Sequence, residues 1–243
     1  MQPPLFIFTH GFMGMDEVNL LGFTVRYFRG VKALMDSLSV PAMFARVPRA
    51  SSVKTRAGHL AAIVENSGAK HCVLVGHSMG GLDCRFVAGR LDRARRVKTV
   101  VSLATPHRGS SLADWMLGGS GPLPLIGQRY MRPALEDLTA EGSERFNREI
   151  PDRPDVRYLS YAASRPADEM PLWLRSFTRT LEDKEGPNDG QVSLASAKWG
   201  EFRGAVRADH FELIGWNGGL PKASICRPFP HLSLFDRIVR EVC

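Results

Sequence analysis

The apolar run Cys72-Val73-Leu74-Val75 passes directly into Gly76-His77-Ser78-Met79-Gly80-Gly81, and then into Leu82 to Leu91 with apolar positions at helical spacing. A short apolar run bounded by glycines reads as a buried strand, and the segment after it as a helix, so the chain must turn from one to the other within a few residues. Such a turn holds the serine in a sparsely populated backbone conformation. It also draws neighbouring chain so close that side chains at Gly76 and Gly80 would collide. A serine held this way stands exposed at the carboxyl end of a strand, with the amides of the following helix aimed at whatever it meets.

The same alternation of strand and helix runs along the chain. Leu5 to Thr9 reads as a buried strand, Val25 to Leu38 as a helix, and Ala42 to Val47 as a strand. Ser51 opens a second helix, with Ala57, Leu60, Ala61 and Val64 on one face; Cys72 to Val75 is the third strand, Leu82 to Leu91 a helix, Val97 to Leu103 a fourth strand, and Phe202 to Val206 a later one. Alternation of this kind produces an α/β fold, a mostly parallel sheet of about six strands with helices on both faces. With no internal repeat and no linker, residues 1–243 read as a single domain.

Two stretches break the alternation. Ser110 to Arg132 mixes Leu112, Trp115, Met116, Leu117, Leu123, Leu125 and Ile126 with glycine and proline, and Pro166 to Thr180 is an irregular segment carrying Met170, Leu172, Trp173, Leu174 and Phe177. Insertions after the fourth strand would sit over the carboxyl ends of the strands, where open α/β sheets bind ligands. Residues 110–132 therefore read as a lid or cap insertion and 166–180 as a second apolar insertion.

Charge and cysteine content narrow the partners. The formal charge is +7, but the basic residues are scattered, only Arg93 to Arg96 cluster, and no nucleic-acid module accompanies them. Transient adsorption to an anionic lipid surface is the most that the charge suggests. No stretch reaches the about 18 uncharged apolar residues of a membrane span, and no basic leader with a cleavage site precedes Leu5, so a cytoplasmic protein is expected. Cys72, Cys84, Cys226 and Cys243 show neither CxxC spacing nor a dense framework and read as reduced thiols. Oligomeric state leaves no mark in the sequence.

If Ser78 is a nucleophile it needs a histidine base and a carboxylate to orient that base, because a hydroxyl is too weakly acidic to attack an ester unaided. His107, in Ala104-Thr105-Pro106-His107, comes too early to leave room for the acid and reads as a brace, while His231 resembles the start of the last helix. His210 lies after the strand Phe202 to Val206 and is the expected base. Asn188-Asp189-Gly190 is a tight turn that can hold a carboxylate in a fixed direction, which favours Asp189 as the acid over Asp183 and Asp209. His10-Gly11-Phe12-Met13-Gly14 follows the first strand directly, so the Phe12 and Met79 N–H groups are the expected oxyanion donors, with His10 a hydrogen-bonding brace. A strand so near Met1 also implies a sheet without leading antiparallel strands.

These motifs resemble the serine triacylglycerol lipases of the α/β-hydrolase superfamily, especially bacterial true lipases and related fungal lipase-like proteins. The likeness runs through His10-Gly11-Phe12-Met13-Gly14, Gly76-His77-Ser78-Met79-Gly80-Gly81, Thr105-Pro106-His107-Arg108-Gly109-Ser110, Ala134 to Gly142, and Asn188 to Ser193. It implies an α/β-hydrolase fold with a lid, and an acyl-enzyme mechanism on Ser78, Asp189 and His210. Bacterial members often carry calcium with a ligand two residues after the histidine, here Glu212. The rest of that ligand set is not evident, so no metal cofactor is expected. The implied substrate is a lipid ester. A soluble short-chain carboxylesterase and a non-catalytic lipid-binding module are the alternatives; an acyltransferase or polyester depolymerase would use the same three residues.

Overall fold

The computed structural model describes residues 3–15, 17–20, 23–118, 125–216 and 229–243. In chain order the elements are β1 (Leu5–Thr9), β2 (Glu17–Leu20), β3 (Phe23–Arg26), α1 (Val31–Ser37), β4 (Ala42–Ala45), α2 (Val53–Asn66), β5 (Cys72–His77) and α3 (Met79–Phe86), which runs on as a π-turn through Leu91. Then come β6 (Val97–Leu103), α4 (Ser111–Leu117), α5 (Leu125–Leu138), α6 (Ala140–Glu149), β7 (Arg157–Ala163), α7 (Leu172–Glu185), α8 (Leu194–Ala197), β8 (Glu201–Val206) and α9 (His231–Val242).

Six strands form one sheet in the order β4-β1-β5-β6-β7-β8, and every neighbouring pair is parallel. Alternate side chains go to opposite faces of a strand, and the core divides accordingly. Phe6, Phe8, Val73, Val75, Val101 and Leu103 pack under α1 and α9, against Met35, Phe235 and Ile238. Ile7, Cys72, Leu74, Val97 and Val100 face α2 and α3, against Leu60, Val64 and Cys84. Both faces being covered is why these strands read as unbroken apolar runs.

Most expected elements are present with shifted ends. Ser52, one residue later than expected, caps α2, its hydroxyl accepting from the Thr55 N–H at 3.3 Å. The helix after Ser78 begins at Met79, so Ser78 is its N-cap. β7 has no counterpart among the strands read from the sequence; it completes the six.

Two expectations are corrected. Val25 and Arg26 belong to β3, which pairs antiparallel with β2 as a separate two-stranded sheet, and the helix starts only at Val31, after Gly30 at φ 71°. A left-handed residue ends any continuous helix, and residues before Gly30 pair as a hairpin instead. The segment 166–180 is not irregular. It contains a 3₁₀ turn (Ala167–Glu169) and the start of α7, whose Leu174, Thr178 and Leu181 are buried at helical spacing; exposed Leu172 and Trp173 hid that period. Part of the expected lid, 119–124, lies outside the described residues, as does Cys226. Cys72, Cys84 and Cys243 are free thiols, the first two buried. Among the described residues no helix is long and apolar enough to cross a membrane.

Candidate active site

The carboxyl ends of β1, β5 and β8 and the loop between α7 and α8 deliver the predicted residues to one side of the sheet. Ser78 sits between β5 and α3 at φ 55° and ψ −131°, a conformation costing about 1–3 kcal/mol for a residue with a side chain. Its N–H donates to the Leu103 carbonyl of β6 at 2.9 Å, which helps hold it there. The flanking glycines permit the turn: a Cβ on Gly76 would run into the Gly80 backbone, and one on Gly80 into the Thr9 carbonyl.

Asp189 and His210 meet side chain to side chain. His210 Nδ1 lies 2.7 Å from Asp189 Oδ2, and the His210 N–H donates to the Asp189 carbonyl at 2.9 Å. The other carboxylate oxygen, Oδ1, accepts from the N–H groups of Gln191 (2.9 Å) and Val192 (2.7 Å). Both residues are buried. An ionised carboxylate only accepts, so Nδ1 carries the imidazole proton and Nε2 is the free lone pair. That is the tautomer a general base needs. The turn around Asp189 is itself tied down, since Asn188 Oδ1 accepts from the Gly190 N–H at 2.8 Å and its amide donates to the Thr178 carbonyl at 3.0 Å.

The loop after β1 packs onto the serine. A Cβ added to Gly11 would lie 2.7 Å from the Ser78 Cβ, and Phe12 packs against the cluster that contains Met79 and Leu82. Fully buried Arg56 fixes that loop from behind: Nη2 donates to the His10 carbonyl, Nη1 to the Pro48 carbonyl at 2.7 Å, and Nε to Asp83 of α3 at 2.9 Å. His10 Nδ1 meets the Gly11 carbonyl at 2.9 Å.

The remaining candidates fall elsewhere. His107 is buried away from the pair, 3.3 Å from Arg85 Nη1 and stacked on Trp199 at 5.3 Å; burial and the two nearby arginines, Arg85 and Arg108, hold its pKa well below the ordinary range. His231 opens α9, with Nε2 on the Arg29 carbonyl. Asp183 is exposed on α7. Asp209 accepts from the N–H groups of Phe211 and Glu212, shaping the turn that carries His210; burial first, and then Glu212, push its carboxyl up to about 6.

Glu212, the position considered for calcium, is already paired with a cation. Glu212 Oε2 accepts from the Asp209 N–H at 2.9 Å and pairs with Arg165 Nη1 at 2.8 Å, both side chains buried. A guanidinium already neutralises that carboxylate, and a dication beside it would meet like charge. Arg165 also donates from Nη2 to the Arg207 carbonyl at 3.2 Å and from its backbone to the Asn188 carbonyl at 3.1 Å. It thus joins the end of β7 to the loops of Asp189 and His210.

Above the site, α4 and α7 lean together, with Trp115 and Phe177 edge to face at 6.0 Å. Trp173 lies 5.3 Å from Phe211, the neighbour of His210. The Ser110 hydroxyl, at the start of α4, donates to the Gln191 carbonyl at 2.7 Å, anchoring this layer to the turn that holds Asp189. Sequence reasoning passed over Arg165, and also Tyr27 and His77, which lie beneath the site. Nothing in the sequence around Arg165 marks it off from an ordinary cation, and Tyr27 follows a short hairpin whose spacing resembles a helix.

A strained serine between strand and helix thus lies beside a buried Asp–His pair on a parallel sheet. A family profile described as alpha/beta hydrolase fold matches residues 48–211, and the chain belongs to that family. Among curated proteins it is similar to triacylglycerol lipase 2 of Saccharomyces cerevisiae, at 32% identity over 81% of this chain and 64% of that one. It also resembles a triacylglycerol lipase of Vibrio cholerae, at 29% identity over 86% and 78% of the two chains. The chain thus spans less than two thirds of the yeast relative. Among solved structures, a metagenomic carboxyl esterase superposes with a TM-score of 0.79 at 23% identity, over 98% of this chain and 75% of that one. A lipase of Bacillus licheniformis in mature form superposes with a TM-score of 0.73 at 20% identity, over 98% and 92%. At such identities the likeness is one of fold.

Proposed function

We propose that this protein is a serine hydrolase that cleaves carboxylic esters of lipids, a triacylglycerol lipase-like enzyme working through an acyl-enzyme. The observation that carries the proposal is the buried 2.7 Å pair of His210 Nδ1 and Asp189 Oδ2 on the same side of the sheet as strained Ser78. In this reading Ser78 Oγ attacks the ester carbonyl carbon while His210 Nε2 takes its proton. The C–O bond to the alcohol then breaks, the alcohol leaving with that proton. Water repeats the sequence on the acyl-enzyme and releases the acid. Asp189 stabilises the imidazolium, and the Phe12 and Met79 N–H groups bind the oxyanion, each worth about 3–4 kcal/mol in the transition state. No step needs a metal.

The choice of a lipid ester rests on the roof and on the names of the relatives. Leu172 and Trp173 on α7 are 62% and 43% exposed, and Met13 and Met15 in the loop after β1 are exposed as well. Apolar side chains at the rim suit a long acyl chain and transient contact with a lipid surface. In this reading the chain is one catalytic domain with a lid or cap insertion at about 110–132 and a second apolar insertion at about 166–180. The free thiols of Cys72, Cys84 and Cys243 suit a reducing compartment such as the cytoplasm.

Ser78→Ala tests the reading. Turnover of p-nitrophenyl esters should fall by roughly six orders of magnitude with the melting temperature retained, and labelling by a fluorophosphonate should disappear. Undiminished turnover overturns it. A chain-length series from butyrate to oleate esters separates a lipase from a short-chain esterase: a preference for butyrate below its solubility limit selects the esterase.

A further inference from the structure

Beneath the three loops of the site lies a chain of hydrogen bonds that the ester-cleaving steps do not use. The Gly11 N–H donates to the Tyr27 hydroxyl at 3.1 Å, that hydroxyl lies 2.8 Å from His77 Nδ1, and His77 Nε2 lies 3.0 Å from the His210 carbonyl oxygen. His77 is fully buried, its ring 4.5 Å from that of His210 between centroids. The Tyr27 carbonyl accepts from Trp216 Nε1 at 2.8 Å, which anchors the tyrosine from the opposite side.

The chemistry of the end groups dictates every proton in this chain. A carbonyl only accepts, so His77 Nε2 carries the hydrogen; a neutral imidazole has just one, so Nδ1 is an acceptor. The Tyr27 O–H therefore donates to Nδ1, and its oxygen remains free to accept from Gly11. Neutral histidine is required and is what the surroundings favour, since burial and the neighbouring His210 hold His77 well below its ordinary range. Burial also pushes the Tyr27 phenol up to about 12, keeping its proton in place.

We propose that Tyr27 and His77 are positioning residues for ester cleavage, a single directed chain of hydrogen bonds that holds the oxyanion loop, the nucleophile turn and the backbone of the base in one frame. Each link ends on, or beside, a group with a part in the reaction. Gly11 precedes the donor Phe12, His77 precedes Ser78, and the last acceptor is the carbonyl of His210 itself. These segments are distant in sequence, and errors of about 1 Å between such groups can lower rates by about 100-fold. The proposal rests on the ester-hydrolase reading for its kinetic consequence, while the hydrogen-bond chain is tested without it.

Tyr27→Phe keeps the ring and removes both links of the hydroxyl. It should lower kcat on p-nitrophenyl butyrate by about 10- to 100-fold with KM within about twofold. His77→Gln retains an amide donor toward the His210 carbonyl, removes the Nδ1 acceptor, and should give a similar kcat loss; it stands in if Tyr27→Phe fails to fold. The double variant should be no slower than the slower single one, since both break the same chain. A kcat within about twofold of the parent for either folded variant, or losses that multiply, would overturn the proposal. Nitrogen-15 NMR of the imidazoles supplies a readout independent of turnover: in the parent His77 Nε2 is protonated and Nδ1 is a hydrogen-bonded acceptor, and Tyr27→Phe moves the Nδ1 signal. A protonated Nδ1, or a signal that does not move, overturns the chain. A parent protein that shows this signature but cleaves no ester overturns the hydrolase reading and leaves the chain standing.

Discussion

The floor and the roof of the site are held by different physics. The floor, from Gly76–Gly80, Asn188–Val192 and Asp209–Glu212, is a set of buried polar groups bonded to one another: both oxygens of Asp189 have partners, and Glu212 is neutralised by Arg165. The roof, from α4 and α7, meets through rings such as Trp115 and Phe177 and leaves Leu172 and Trp173 largely uncovered. Hydrogen bonds and buried charges are directional and intolerant of displacement, whereas apolar contacts depend mainly on area. A site arranged this way keeps the candidate reacting groups fixed and lets the apolar surface beside them vary.

The largest break in that contrast is expected at the floor. Asp189→Asn keeps the shape but removes the acceptor-only partner of His210 Nδ1, so the wrong tautomer becomes available. The kcat for a soluble ester should fall by about 10⁴, measured by single-turnover kinetics. A loss below about tenfold would reduce Asp189 to a turn residue.

Next comes Arg165→Met, which leaves Glu212 buried without its cation. Denaturant titration should record a loss of about 3–5 kcal/mol, and a loss under about 1 kcal/mol would make the pair incidental. In the parent protein, chelation of divalent metals should leave both stability and turnover unchanged, because the arginine supplies the positive charge. A chelator-sensitive parent would contradict that assignment.

The roof should respond less and more selectively. Trp173→Ala should lower kcat/KM for palmitate esters by several-fold, about 1 kcal/mol of lost apolar contact, with acetate esters nearly unaffected. Equal losses on both substrates would mean that Trp173 supports the floor through Phe211 rather than the acyl chain.

The last effect is a pH dependence beside His210. Because the Asp209 carboxyl is pushed up to about 6 in the folded protein from an ordinary 3.8, the native state binds the extra proton. Its contribution to stability is present at low pH and is lost as pH rises through about 6. Asp209→Asn removes that loss and keeps the Oδ1 acceptor for Phe211 and Glu212. The melting temperature of the variant relative to the parent should therefore be higher at pH 7 than at pH 4, and a constant difference would refute the assignment.

Much of the floor is legible in the sequence alone. Gly76-His77-Ser78-Met79-Gly80 declares its turn because glycines are needed on both sides, and Asn188-Asp189-Gly190 declares another for the same kind of local reason. The order of Ser78, Asp189 and His210 along the chain did the rest. Tyr27 and Arg165 were not legible. Tyr27 follows a two-stranded hairpin too short to show a reliable period, and its partners Gly11 and His77 come from the loop after β1 and the end of β5. Arg165 reads as an ordinary cation until β7 and the His210 turn bring it against Glu212.

Local chemistry therefore determined the strand–serine–helix turn, the parallel sheet that follows from alternating elements, and the identity of the three candidate reacting residues, because each is written within a few neighbouring positions. Tertiary structure decided which carboxylate meets which histidine nitrogen, that an arginine occupies the place considered for a metal, and that Tyr27 and His77 connect the loops. Those depend on pairings between segments far apart in the chain, which become definite only when the sheet has ordered β1, β5 and β8 side by side with β6 and β7 between the last two.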